Sequence, residues 1–227
     1  MQIKIRKRPI HPASESPDCK PKLMLKNLRL KLRVLILGVF VLGHAMAHGA
    51  STPEATVADL HQALLGIMQS GAQLGFSGRL EQITPVVENS FDFDSIARVA
   101  MGRHWQQMSE SQQQRSNQLL RKLTVNSYAD RFSGYSGESF KLLAVKDGRR
   151  GQQIVRTELV RVKDEPVQLD YILKQYNGQW RIINVLANGV SDLSLKRAEY
   201  GSIISKQGSA ALLQQIEAQI KRLYPES

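Results

Sequence analysis

Few side chains in this sequence are arranged for chemistry. Asp92 and Asp94 flank Phe93, and a close carboxylate pair is what acid–base catalysis would need. Both also stand at the start of an amphipathic run, where a carboxylate caps a helix. The histidines beyond the N-terminal segment are His48, His61 and His104. They lack the short spacings that bring metal ligands together, so no metal site is expected. His104 follows an apolar stripe beside Trp105, which reads as a core or rim position. No Gly-x-Ser-x-Gly elbow and no phosphate-cradling glycine loop is present. Arg149-Arg150 falls in an expected hairpin turn. Lys196-Arg197 and Lys221-Arg222 fall on polar helix sides, and all three pairs read as solvated charge. An enzyme would have to work through Asp92, Asp94 or His104, and no cofactor is expected.

The charge is concentrated at one end. The chain has 31 Lys+Arg against 20 Asp+Glu, a formal +11. Residues 1–33 hold ten of the bases (Lys4, Arg6, Lys7, Arg8, Lys20, Lys22, Lys26, Arg29, Lys31, Arg33) and two acids (Glu15, Asp18), so +8 of the +11 lies there. An apolar run, 34–43, follows, about half the length of a membrane span. Ala45-Met46-Ala47 then offers a small-x-small cleavage site. Basic flank, short apolar run and small-residue site are the parts of a secretion signal. The expected organisation is a signal over 1–47, cleaved near Ala47, and one domain over 48–227. Met24 opens a more compact signal than Met1 and is the expected start. The remaining charge is too small to point to nucleic acid. Cys19, the single cysteine, precedes the cut, so the exported chain has no thiol.

Periodicity then supplies the elements. Helices are expected over 53–70 and 78–89. A stripe of Phe93, Ile96, Ala97, Ala100, Met101, His104 and Trp105 predicts one more. Ser109 and Gln112 form a capping box before a long helix that ends at Gly134. Four strands follow: 140–145, 154–162, 167–174, and a last one in which Trp180, Ile182, Asn184 and Leu186 alternate. Asn177-Gly178 is a strong hairpin signal. Two helices separated at Gly208 close the chain. The fold class is α+β: a helical N-terminal half, a four-stranded antiparallel curved sheet, and two C-terminal helices.

Specific strings then suggest a family. Phe91-Asp92-Phe93, Ile96-Ala97-Arg98 and Gly102-Arg103-His104-Trp105 resemble the helix motif of the MlaC, or toluene-tolerance, family of periplasmic lipid shuttles. Asp170-Tyr171, Asn177-Gly178-Gln179-Trp180-Arg181-Ile182 and Asn188-Gly189-Val190-Ser191, followed by Arg197 and Tyr200, are similar to its sheet-to-helix segment. The likeness runs over roughly 53–222. Asp192 after Gly-Val-Ser is similar to the hopanoid-associated, HpnM-like branch.

The resemblance implies a monomeric periplasmic carrier that moves phospholipid or hopanoid-type lipid between the inner and outer membranes. Its partners would be an inner-membrane ABC-type transporter complex and an outer-membrane lipoprotein complex, with transient membrane contact. It implies no catalysis and no cofactor. It implies an apolar cavity between helices and sheet, for which the candidate lining is Phe93, Ile96, Ala100 and Met101, with Leu120 and Leu123, and with Leu169, Tyr171, Leu173 and Ile182. Trp105 and Trp180 could instead be core anchors. Burying ~14 acyl methylenes at ~0.8 kcal/mol each would supply about 11 kcal/mol without any polar contact. The alternative is an accessory factor or enzyme in envelope lipid modification.

Overall fold

The computed structural model describes residues 51–224. The expected signal, Met24 and the cleavage site lie outside the described residues. The element order is α1 (Pro53–Gln69), α2 (Gly71–Ser90), α3 (Phe93–Met101), α4 (Glu110–Arg131), β1 (Ser139–Asp147), β2 (Gln152–Val160), β3 (Val167–Tyr176), β4 (Gln179–Ala187), β5 (Val190–Ser191) and α5 (Asp192–Leu223). None of these helices is long and apolar enough to cross a membrane.

The helix starts follow from capping. Pro53 opens α1 behind Thr52, whose hydroxyl accepts from the Ala55 N–H at 3.1 Å. Asp92 caps α3, with Oδ1 accepting from the Ser95 N–H at 3.0 Å. The Ser109–Gln112 capping box is complete in both directions. The α4 helix ends at Arg131, three residues before Gly134, with Phe132 as its C-cap.

The sheet is an antiparallel meander in chain order, β1-β2-β3-β4-β5. It has five strands, not four: β5 is a two-residue strand that pairs with the end of β4. Both turns that enclose β4 use Asn-Gly with positive φ at each residue, at Asn177-Gly178 and at Asn188-Gly189. This is the backbone of a type I′ hairpin turn, which Asn and Gly adopt most easily. One face of the sheet is the core face. Val155 pairs with Tyr171, Tyr171 with Val185, and Leu173 with Ile182. On the other face Arg156 grips Asp170 through two bonds, Nε at 2.8 Å and a terminal nitrogen at 2.9 Å.

The structure corrects two expectations about elements and agrees with a third. The 93–105 stripe is not one helix: α3 stops at Met101 because Gly102 turns to φ 56, and a 3-10 turn covers Gly102–Gln107. The alternation Ile182, Asn184, Leu186 is interrupted by a register shift in β4, which puts Ile182 and Val185 on the core face and leaves Leu186 opposite Asp170 on the other. The two expected C-terminal helices are both present within α5, and they are divided where expected, at Gly208, whose backbone leaves the helical region (φ 83).

Two apolar clusters make up the interior. The first joins α1 and α2 to the sheet, with Leu60, Leu64, Ile67, Ile83 and Val87 against Val155, Tyr171, Leu173 and Ile182. The second lies among α3, α4 and α5, with Ala97, Ala100 and Met101 against Leu119, Leu120, Leu123, Leu212 and Ile216. Ile96 packs against both. The start of α3 is tied to the sheet by the Asp92 N–H, which donates to the Ile182 carbonyl at 2.9 Å.

Candidate functional site

The ten candidate lining residues divide between the two clusters. Phe93, Leu169, Tyr171, Leu173 and Ile182 belong to the first, Ala100, Met101, Leu120 and Leu123 to the second, and Ile96 joins them. Eight of the ten are at most 4% exposed, Ile96 and Leu169 being half-buried. In this structure they are packed against protein. Of the ten, only Ile96 on α3 packs against both clusters. Trp180 packs on the first cluster and Trp105 on the second.

The residues that could have done chemistry each serve a separate structural purpose. Asp92 caps α3, and Asp94 accepts from the Asn117 side-chain amide. His104 lies in the 3-10 turn, 3.3 Å from the Ser205 hydroxyl. No group of three or more potential metal ligands occurs among the described residues.

His61 is the strongly perturbed histidine. It is buried on α1, stacked on Phe140 with ring centroids 3.8 Å apart, and its Nε2 is 3.0 Å from the Tyr171 hydroxyl. Burial pushes its imidazole from 6.5 down to about 4. Burial also raises the Tyr171 phenol well above its usual value, so it keeps its proton. The pairing that suits a neutral ring has the phenol O–H donating to Nε2. The unfolded chain then binds a proton more readily than the folded one between pH 6.5 and about 4. The stability from neutral His61 is fully present above 6.5 and is lost as pH falls through that window, on the order of 3 kcal/mol in all. Urea titrations at stepped pH should show this slope, and His61→Phe should flatten it; an unchanged slope in the variant would assign the acid sensitivity elsewhere.

A feature that the apolar periodicity did not reveal lies between α2, α4 and the end of α5. A groove of about 460 Å³ is lined by Leu80, Thr84 and Glu88 of α2, Arg121, Lys122, Val125 and Asn126 of α4, and Ile220, Lys221 and Tyr224. Its floor touches both clusters: Val125 belongs to the first, while Ile220 packs on the second. Arg121 stands over the Phe93 ring at 5.7 Å and pairs with Glu88 at 3.7 Å. The clue in the sequence was Asn126. It lies three residues after Leu123 and three before Ala129, a polar residue on a buried helix side.

Comparison with known proteins bears on the fold and the family. The fold matches a phospholipid-binding protein from Ralstonia solanacearum solved in complex with a phospholipid, with a TM-score of 0.65 at 22% identity, covering 76% of this chain and 99% of that one. No curated protein sequence matches the chain. A family model described as MlaC protein matches residues 58–218, well over half of the 227 residues and nearly all of the described fold. By that match the chain belongs to the MlaC protein family.

Proposed function

We propose that this protein is a soluble lipid carrier that takes up a phospholipid or hopanoid-type lipid and shuttles it through the periplasm between the inner and outer membranes. The observation that carries this reading is the family match over 58–218. The phospholipid held by the structural neighbour supports it. The interior suits such a cargo, since two apolar clusters meet along α3 and acyl chains need little more than dry, apolar surroundings. In this reading residues 1–47 are the export signal. A transporter complex at the inner membrane and a lipoprotein complex at the outer membrane load and unload the carrier. In this reading the protein binds its cargo without transforming it, and Asp92, Asp94 and His104 serve a cap, an amide contact and a hydroxyl contact.

Native mass spectrometry of the purified protein tests this directly. It should show one or more co-purifying lipids, and the emptied protein should regain lipid from vesicles. An empty protein that takes up nothing would overturn the reading. The extracted lipid would also decide between phospholipid and the hopanoid type that Asp192 suggests.

A further inference from the structure

The positive charge beyond residue 33 has one address. Residues 34–227 carry +3, what is left of the +11 once the +8 of residues 1–33 is set aside. The β1–β2 hairpin, Ser139–Val160, has five cations (Lys141, Lys146, Arg149, Arg150, Arg156) and two carboxylates (Asp147, Glu158), which is also +3. The rest of 34–227 therefore sums to zero. Within the hairpin Arg156 is held by Asp170, and Asp147 accepts from the Gln153 amide at 2.8 Å. Lys141, Lys146, Arg149 and Arg150 are exposed. Among the described residues none of the four is in an ion pair, although Glu158 stands opposite Lys141 across the strands. Two further marks lie on the same hairpin. The outer strand β1 exposes adjacent leucines, Leu142 at 55% and Leu143 at 42%, with Leu143 the extra residue of a bulge. Bulges and lysines guard an open edge against pairing, and exposed leucines work against that guard. At the tip Arg150 is left-handed, with φ 55 and ψ 43. Glycine adopts that backbone freely, while a side chain there costs about 1 kcal/mol. The tip keeps a cation at the expense of stability.

From this arrangement we infer that the outer edge of β1, with the hairpin tip beyond it, is a docking surface for an anionic lipid bilayer. Leu142 and Leu143 enter the boundary between headgroups and acyl chains. Lys141 on one side, and Lys146, Arg149 and Arg150 on the other, lie among the lipid phosphates. At the rise of a β-strand, these residues follow one line of roughly 20 Å along the edge. A bilayer accepts such a convex line without a matching shape. An added protein strand fits poorly, because the bulge interrupts the ladder it would have to join. A second copy of this edge fits poorly as well, because it would set cations against cations. The surface lies on the sheet edge, outside both apolar clusters, and the inference does not rest on the carrier reading.

The test is co-sedimentation of the domain of residues 46–227 with phosphatidylcholine vesicles, with and without phosphatidylglycerol. That domain holds both apolar clusters and is a compact unit of its own. It leaves out the basic 1–33 segment, which would bind anionic vesicles by itself. The wild type should sediment with the phosphatidylglycerol vesicles, release them as salt is raised, and leave pure phosphatidylcholine vesicles largely alone. A cation near an anionic surface strengthens binding about fivefold, so Arg149→Gln with Arg150→Gln should weaken it roughly 30-fold. Leu142→Ser with Leu143→Ser should weaken it about tenfold at unchanged charge. Arg150→Gly relieves the backbone, so it should melt no earlier than the wild type and still bind about fivefold less. Equal sedimentation with both kinds of vesicle, or variants that bind like the wild type, would overturn the inference. So would a dimer that the two serines convert to monomer, or an acidic protein held by this edge in a domain that ignores vesicles. Native mass spectrometry of the same variants separates the two readings: lost docking with lipid still bound leaves the carrier standing, and an empty domain that still docks removes only the carrier.

Discussion

Arg79→Ala is expected to cost about 4 kcal/mol of folding stability, although its hydrogen bonds run to Ala129 and Gly71, outside the candidate lipid residues. Its side chain is buried, and among the described residues its hydrogen-bond partners are carbonyls rather than carboxylates. Nε donates to the Ala129 carbonyl at 2.8 Å, in the last turn of α4, and a terminal nitrogen donates to the Gly71 carbonyl at 2.9 Å. A cation at the negative end of α4 is well placed. The Gly71 contact spans the break at Gly75, where φ reaches 60, so Arg79 holds the short first arm of α2 to the second. The arm has no slack on its other side, because a Cβ on Gly71 would overlap the Ser133 carbonyl oxygen. Truncation leaves two carbonyls unmet at roughly 1–3 kcal/mol each and removes the guanidinium that stands over the Phe76 ring. For a domain of this size that is a fall in Tm of about 8–16 °C. Arg79→Lys should recover only part of it, since an ammonium lacks the planar fork. A loss below about 1 kcal/mol in urea unfolding would show that the kink holds without the arginine.

How much of this was legible beforehand depended on what signalled each feature. Caps and turns are local, and Thr52-Pro53, Asp92, the Ser109–Gln112 box and Asn177-Gly178 act where the sequence places them. Inside-facing residues of β3 follow simple alternation, so Leu169, Tyr171 and Leu173 share the core face as expected. Reading failed where one residue changes the phase. Gly102 cuts a stripe that is apolar through Trp105, and the register shift in β4 replaces Leu186 by Val185 on the core face. Both depend on tertiary packing that periodicity cannot register. The membership of Phe93 and Leu120 in an interior was legible from their spacing. Their division into two clusters, with Ile96 between, was not, because it follows from how α5 folds back on α3 and α4. The groove was missed for a related reason: its walls come from three helices far apart in sequence, and only Asn126 departs from its local pattern.

The closed seam leads to the second large effect, which rests on the carrier reading. The candidate residues are packed within the two clusters, so on the carrier reading an acyl chain that lies among them has to part the clusters along α3. A bound chain then replaces side-chain contacts and becomes part of the core. Emptying the protein should therefore lower its stability by mass action, about 2.7 kcal/mol for a lipid held at a hundred times its Kd. That corresponds to about 5–11 °C in Tm for a domain of this size. Ile96 is the residue on which the seam turns, since it is half-buried and packs against both clusters. Ile96→Asp places a charge where the chains must pass, at a position less costly to the empty fold than Ala97 or Ala100, which are fully buried. The variant should retain a cooperative unfolding transition, lose at least tenfold in lipid uptake, and show little difference in Tm between lipid-treated and untreated samples. Identical melting of loaded and emptied wild type would show that the lipid lies outside the core. Normal uptake by Ile96→Asp would show that the chains take a path other than this seam.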